Sequence, residues 1–331
     1  MENFDDTVFA LGEVEALKRA VAIFKTVPST LVGSGDDAAV VALNDHRMVV
    51  TTDTMVENHD FRTDFSTGFD LGFKAVASNL ADLAAMGATP VALTVAMVVT
   101  KTTTQMWLED FARGLQAGLD QLAPTAEIVG GDLASGEQIV IAVAAHGQLG
   151  DRQPVLRSGA KSGDIVAVAG TLGRAACGLD LLLHKDQSLA KAYDEWVAVQ
   201  LRPNPPIQLG VEAGALATAM LDVSDSLALD VNRLAKASGV TIELSTGKLS
   251  GYAAVLELAA QSMTSRDGME RDPMDWVLFG GEDHSLLATF PESAALPRGF
   301  KAIGKVVGES AGLVLLDGQE LSPKGWDSVS S

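Results

Sequence analysis

The chain has 331 residues, 43 Asp and Glu against 24 Lys and Arg for a formal charge of −19, and a 47% hydrophobic composition with 32 glycines. That charge argues against nucleic acid as a partner, because such binding needs Lys and Arg to displace phosphate counterions. The length suits two domains of roughly 150 residues. One cysteine, Cys177, and five histidines leave no intrachain disulfide and no Cys/His zinc site of a common kind, so any metal is expected among oxygens. No apolar run reaches the roughly 18 residues that span a bilayer, and the acidic start Met1-Glu2-Asn3-Phe4-Asp5-Asp6 lacks the basic residues of a secretory signal. The expected location is the cytoplasm, without a membrane partner.

In chain order, 11–24 (LGEVEALKRAVAIF) has the spacing of an amphipathic helix, and 39–43 with 47–53 read as a hairpin across Asn44-Asp45. Residues 72–86 form a small-residue helix ended by Gly87 and Pro90, 91–99 an apolar strand able to be buried on both faces, and 104–121 a longer helix. Strands at 126–130 and 139–146 flank Gly130-Gly131-Asp132, and 150–163, rich in charge, Pro and Gly, reads as the domain boundary. The second half predicts a strand at 164–169, helices near 173–184 and 188–200, a strand at 218–223 leading into a helix over 226–237, and strands at 241–245, 276–279, 286–290 and 312–316. The hydrophilic stretch 264–274 reads as an exposed loop, and Cys177 as a small buried side chain.

Carboxylates recur where apolar elements end: Asp36-Asp37, Asp53, Asp82, Asp132, and Asp222 with Asp225. A charge beside buried strands needs a partner, and nearby Lys and Arg are too few. Mg²⁺, which takes oxygen ligands and bridges to substrate phosphates, meets that need and points to a nucleotide. Each motif has a plainer reading as well. Asp36 and Asp37 suit a turn, Asn79 and Asp82 share a helix face where hydrogen bonding to a neighbouring backbone would suffice, and Gly130-Gly131-Asp132 fits a tight hairpin as well as close approach of a ligand. Ser224 or Asp225 suits a helix cap, and Arg157 suits either a phosphate or a surface ion pair. Gly33-x-Gly35-x-x-Ala38 precedes a strand and so is not a dinucleotide fingerprint, and no Walker loop, His-Arg-Asp loop or Gly-x-Ser-x-Gly elbow occurs.

Taken together, GDDAAV (35–40), TTDT (51–54), KAVASNLADLAAMGATP (74–90), GGD (130–132), RSGAKSGD (157–164), DVSDSLALD (222–230) and GGED (280–283) resemble the thiamine-monophosphate kinases, a branch of the aminoimidazole ribonucleotide synthetase-like superfamily. The likeness spans nearly the whole chain. It implies a two-domain α/β (α+β) fold with mixed sheets flanked by helices. An N-terminal ATP- and Mg²⁺-binding, dimerising domain would occupy 1–149 and a C-terminal α/β domain 150–331, with nucleotide sites involving the interface of a homodimer.

The resemblance also implies Mg²⁺ ligands at Asp37, Thr51, Thr52, Asp53, Asp82, Asp132, Asp222 and Asp225, and ATP contacts from Gly131, Asp132, Arg157 and Ser224. Asp53, Asp132, Arg157 and Asp225 would form the catalytic set, and Asp60, Glu282 and Trp326 would face thiamine monophosphate. The implied reaction is in-line phosphoryl transfer from ATP to thiamine monophosphate. The chain departs from the family pattern in three places: Val56-Glu57-Asn58-His59-Asp60-Phe61 replaces Val-Glu-Gly-Val-His-Phe, Ser226 replaces the Gly after Asp225, and His284-Ser285 replace Tyr-Glu after Asp283. Rival readings are another ATP-dependent superfamily member, or a nucleotide or Mg²⁺ sensor without turnover, against which the retained aspartates weigh.

Overall fold

The computed structural model describes residues 7–34, 38–309 and 311–326. The chain divides into two compact units, Met1–Leu83 with Ala88–Asp151, and Ala84–Gly87 with Arg152–Ser331. Among the described residues no helix is long and apolar enough to cross a membrane.

The first unit opens with α1 (Val8–Leu11) and α2 (Glu13–Val21). The single helix expected over 11–24 is instead two, because Gly12 at φ 77° breaks the turn between them. β1 (Thr30–Val32) and β2 (Val40–Val41) form a two-stranded antiparallel ribbon. The hairpin expected between 39–43 and 47–53 is therefore corrected: β3 (Val49–Val56) pairs along its whole length with β6 (Val140–Gln148). The intervening turn is drawn away, since the Asn44 amide donates to Gln148 Oε1 at 2.8 Å and Arg47 Nη2 to the Gly150 carbonyl at 2.9 Å.

Between these strands lie α3 (Gly68–Ala85), β4 (Thr89–Val99), α4 (Gln105–Leu122) and β5 (Glu127–Ser135). The sheet order is β3-β6-β4-β5, antiparallel except for the parallel β4–β5 pair. α3 begins four residues before the apolar pattern suggested, because Thr67 and Asp70 close a reciprocal cap: Asp70 Oδ2 accepts from the Thr67 amide and hydroxyl at 2.9 and 2.7 Å, and the Asp70 amide donates to Thr67 Oγ at 3.2 Å.

Glycines form the seam between α3 and α4. A Cβ on Gly72 would sit on the Phe111 carbonyl oxygen, one on Gly114 would sit on that of Phe69, and Gly118 abuts Val76. Spacing of four residues puts Gly114 and Gly118 on one face of α4, opposite Gly72 of α3, so the two backbones touch where side chains would normally hold them apart.

The second unit contains β7 (Ile165–Ala169), α5 (Arg174–Leu183), α6 (Ser188–Ala192), α7 (Asp194–Leu201), α8 (Ile207–Ala213), β8 (Ala219–Val223) and α9 (Leu227–Ser238). It continues through β9 (Val240–Leu244), α10 (Thr246–Ala254), α11 (Glu257–Asp267), α12 (Pro273–Phe279), β10 (Ser285–Phe290), β11 (Phe300–Glu309), β12 (Leu313–Leu316) and β13 (Gln319–Glu320). The sheet order is β13-β12-β9-β11-β7-β10-β8, with β12–β9 the parallel pair. Val166, Val168, Leu221, Val223, Ile242 and Leu287 from the sheet meet Leu181, Val231, Leu234 and Val277 from the helices in one core.

Several expectations are corrected here. Residues 276–279 are the end of helix α12 rather than a strand: Asp272 accepts the Met274 amide at 2.8 Å and Pro273 takes the first helical position. The helix expected over 188–200 breaks at Tyr193 into α6 and α7, and α11 runs four residues into the loop expected at 264–274. β11, which the sequence reading passed over, is interrupted by register shifts at its pairings with β7 and β9.

Candidate active site

In the first unit, Thr51, Thr52 and Asp53 sit on β3, where successive side chains alternate between half-buried and exposed. Thr51 and Asp53 share the half-buried face, and the Thr51 hydroxyl donates to Asp82 Oδ2 of α3 at 2.6 Å. The pleat turns Thr52 the other way, and its hydroxyl donates to the Val143 carbonyl at 2.9 Å. One strand thus divides the three neighbours between two faces.

Gly130-Gly131-Asp132 is not a turn: it lies within β5, paired with Thr94, Val95 and Ala96 of β4. The register shift just before it leaves Val129 as an extra residue, so the strand bends where the glycines begin. A Cβ on Gly131 would collide with the Val95 carbonyl, which gives this glycine a packing reason of its own. Following the register across the sheet, Asp53 lies in the row Val143, Val95, Gly131. Asp132 is one residue along and exposed on the opposite face, three strand spacings of about 4.8 Å away. A single chain therefore joins Thr51, Asp53 and Asp82 on one face and does not bring Asp132 to them. Asp37 lies outside the described residues.

Asp60 is half-buried, its Oδ2 accepting the Val56 amide at 2.8 Å and its Oδ1 2.9 Å from His59 Nδ1. The altered stretch around it turns at Asn58, φ 64°.

In the second unit three loops converge at the end of β8. Buried Asp222 meets His284 Nδ1 at 3.2 Å, the His284 amide donates to the Val223 carbonyl at 3.1 Å, and the Glu282 amide donates to the Ser224 carbonyl at 2.8 Å. Gly281 lies against the Ser224 carbonyl with no room for a Cβ. From the third loop, the Trp326 amide donates to the Asp225 carbonyl at 3.0 Å.

Gly280-Gly281-Glu282-Asp283 follows helix α12 and precedes β10, rather than ending a strand. Glu282 stands at φ 65° and its Oε2 accepts Gln200 Nε2 at 2.5 Å. Its neighbour Asp283 is buried, accepting the Thr171 hydroxyl at 2.6 Å and the Ala175 amide at 3.3 Å. Burial pushes that carboxyl up, and the same hydrogen bonds pull it back. Cys177 is buried as expected, its thiol pushed up to about 12 by burial.

The cap of α9 is Ser226, not Ser224 or Asp225: its Oγ accepts the Leu229 amide at 3.1 Å. Arg233 Nη1 joins Asp225 Oδ2 at 2.5 Å to Asp230 Oδ1 at 2.7 Å, and Asp230 Oδ2 accepts the amides of Asp225 and Ser226 at 3.1 and 3.3 Å. Arg157 opens a loop that is pinned from below. Ser238 Oγ donates to the Arg157 carbonyl at 2.9 Å and accepts the Gly159 and Ala160 amides at 3.2 Å. Asp164 accepts the Lys161 amide at 2.9 Å and the Thr218 hydroxyl at 2.6 Å. The loop is fixed while Arg157 itself stays exposed, a geometry suited to an anionic ligand.

Asp230 is pushed up to about 6, first by burial and then by facing Asp222, against the pull of Arg233. A carboxyl raised in the folded state favours folding while protonated. That contribution is complete below about pH 4 and is lost as pH rises through about 6. Wild-type unfolding free energy is therefore expected to carry a decline across that window, on the order of 3 kcal/mol, that Asp230→Asn lacks. Denaturant titrations at several pH values read it, and parallel pH slopes for the two proteins would refute it.

Among the described residues no group of three or more His, Cys, Asp or Glu converges to hold a metal ion. Mg²⁺ does not need such a cage, since it keeps waters and takes one or two carboxylates with substrate phosphates. The donors at hand are all hard oxygens, with Thr51 and Asp82 already in contact. One turn before Asp82, the buried Asn79 Oδ1 has no hydrogen-bond partner while its Nδ2 donates to Ala75. An unpaired buried acceptor beside carboxylates fits a hydrated cation.

Sequence reasoning missed His284, Asp230 and Arg233 as parts of this site. Asp230 and Arg233 stand three apart on α9 and were readable as a pair. The His284–Asp222 contact spans 62 positions and has no local signal.

Residues 35–149 match the family described as AIR synthase related protein, N-terminal domain. A thiamine-monophosphate kinase of Mycobacterium tuberculosis is 40% identical over 97% of this chain and 93% of its own. The crystal structure of thiamine-monophosphate kinase from Stenotrophomonas maltophilia K279a superposes with a TM-score of 0.73 at 31% identity, covering 92% of this chain and 95% of that one. AaThiL complexed with AMPPCP and TMP gives 0.71 at 28% identity, covering 98% of each.

Proposed function

The chain belongs to the thiamine-monophosphate kinase family, and from that membership we infer that it phosphorylates thiamine monophosphate with ATP, giving thiamine diphosphate and ADP. The observation that carries this is 40% identity along 97% of the chain.

The acceptor needs little activation. A phosphate monoester with a second pKa of about 6 is already largely ionised at neutral pH, so its oxygen can attack the γ-phosphorus without a general base. The work left to the protein is alignment of donor and acceptor and neutralisation of their mutual repulsion. Exposed Arg157 on its pinned loop offers a fork for phosphate oxygens, and Gly131 would contact ATP through its backbone. Glu282 and Trp326 on the converging loops would contact the thiamine moiety, with Asp60 in the altered segment of the first unit.

Mg²⁺ when bound would supply charge neutralisation on the phosphates. Asp53, Asp82 and Thr51 would hold it in the first unit, and Asp222 and Asp225 in the second, where Arg233 now occupies Asp225. We further propose a homodimer formed through the N-terminal sheet. Its uncovered face carries the small, partly exposed residues Ala96, Ala142 and Ala144 beside Asp132, and a partner there would bring Asp132 into a composite nucleotide site. The proposed location is the cytoplasm.

The test is chromatographic detection of thiamine diphosphate after incubating the purified protein with ATP, MgCl₂ and thiamine monophosphate. Product formed in step with ADP is expected. ATP binding without acceptor-dependent turnover would replace the kinase with a nucleotide sensor.

A further inference from the structure

Ser226 adopts φ 152°, ψ 158°, a region open to glycine that a residue with a Cβ occupies only when its surroundings hold it there. Here Asp230 holds the backbone, its Oδ2 accepting the Ser226 amide at 3.3 Å, and the hydroxyl adds two bonds of its own. Fully buried, Ser226 Oγ donates to the Lys324 carbonyl at 2.6 Å while accepting the Leu229 amide at 3.1 Å. The next residue, Gly325, lies so close that a Cβ would stand 2.5 Å from the Asp225 carbonyl and 2.6 Å from Ser226 Oγ. Trp326 then donates its amide to that Asp225 carbonyl at 3.0 Å, and Lys324 Nζ lies 5.7 Å from the centre of the Phe279 ring. Residues 321–326 belong to no helix or strand, so these contacts carry much of what orders the segment.

We propose that Ser226 is a positioning residue for substrate, a buried clasp that locks residues 324–326 onto the Asp225 loop and fixes where the Trp326 indole, 42% exposed, is presented. The proposal rests on the reading of Trp326 as a contact of the thiamine moiety. A glycine at 226, the residue of the family pattern, takes the same backbone without strain and cannot bond Lys324. This chain accepts a strained residue and gains a tether.

Three variants test it, with thermal unfolding, steady-state kinetics and tryptic cleavage at Lys324–Gly325 followed by mass spectrometry. Ser226→Gly is expected to melt near the wild type, because relief of strain offsets the lost bonds. Its cleavage at Lys324 should quicken about tenfold and its KM for thiamine monophosphate rise about fivefold, the scale of one or two lost hydrogen bonds, with kcat and KM for ATP little changed. Ser226→Ala keeps the strain without the hydroxyl and should melt below Ser226→Gly. Trp326→Ala should raise KM for thiamine monophosphate. If it does so while Ser226→Gly changes neither cleavage nor KM, the clasp is overturned and the Trp326 reading stands. An unchanged KM in Trp326→Ala removes that reading and the proposal with it.

Discussion

Asp53→Asn is expected to lower thiamine diphosphate formation about 10³-fold, the scale on which loss of one charge-stabilising group acts in phosphoryl and acyl transfer. The substitution keeps the side chain's shape on β3 and removes its charge from the face shared with Thr51 and Asp82. The unliganded protein should melt close to the wild type, and the thermal shift produced by ATP with MgCl₂ should shrink, since binding to the folded state alone stabilises it. One position earlier, Thr52→Val should leave turnover within a few-fold, because that hydroxyl faces the other way and donates to the Val143 carbonyl. Equal losses from the two neighbours would show that the Asp53 carboxylate has no larger part in turnover than the Thr52 hydroxyl.

The second large effect is on stability. Gly72→Ala or Gly114→Ala should destabilise the first unit by roughly 3 kcal/mol, the upper range for overpacking a rigid contact. The atom met by the new methyl is in each case a backbone carbonyl of the facing helix, Phe111 or Phe69, which cannot rotate away as a side chain would. α3 would have to lift from α4, carrying Asp82 away from Thr51, so activity should fall with the unfolding midpoint. A denaturation curve unchanged from the wild type would show that the helices do not meet through these glycines.

Local chemistry made much of this fold legible. The apolar run at 91–99 and the strand-to-helix step at 218–237 appear nearly where their patterns put them, as β4, β8 and α9. Failure came where a short apolar stretch fits two structures. Trp276-Val277-Leu278-Phe279 reads as a strand by composition, yet Asp272-Pro273 just upstream is a helix start that outweighs it. The hairpin at Asn44-Asp45 failed because the competing partner of β3 lies some 90 residues away in β6.

The site divides in the same manner. Carboxylates at the ends of apolar elements were visible as residues, and the Thr51–Asp82 contact follows from a strand and a helix read correctly. What no spacing could reveal is which loops touch: Asp222 with His284, or Ser226 with Lys324, 98 positions apart. Nor does the motif Gly-Gly-Asp say that its aspartate faces away from Asp53, which depends on a register shift between β4 and β5.

The strand order of the second unit bears on how the chain is made. β7 pairs with β10 and β11, β8 with β10, and β9 with β11 and β12, so the three strands synthesised first share no ladder with one another. The sheet of the first unit has all its strands once residue 148 has emerged from the ribosome, whereas β7, β8 and β9 wait with open edges until residues 285–316 follow. For that interval about 120 residues of apolar strand and helix depend on local structure alone, the condition in which nascent chains are most prone to wrong pairing and to capture by chaperones.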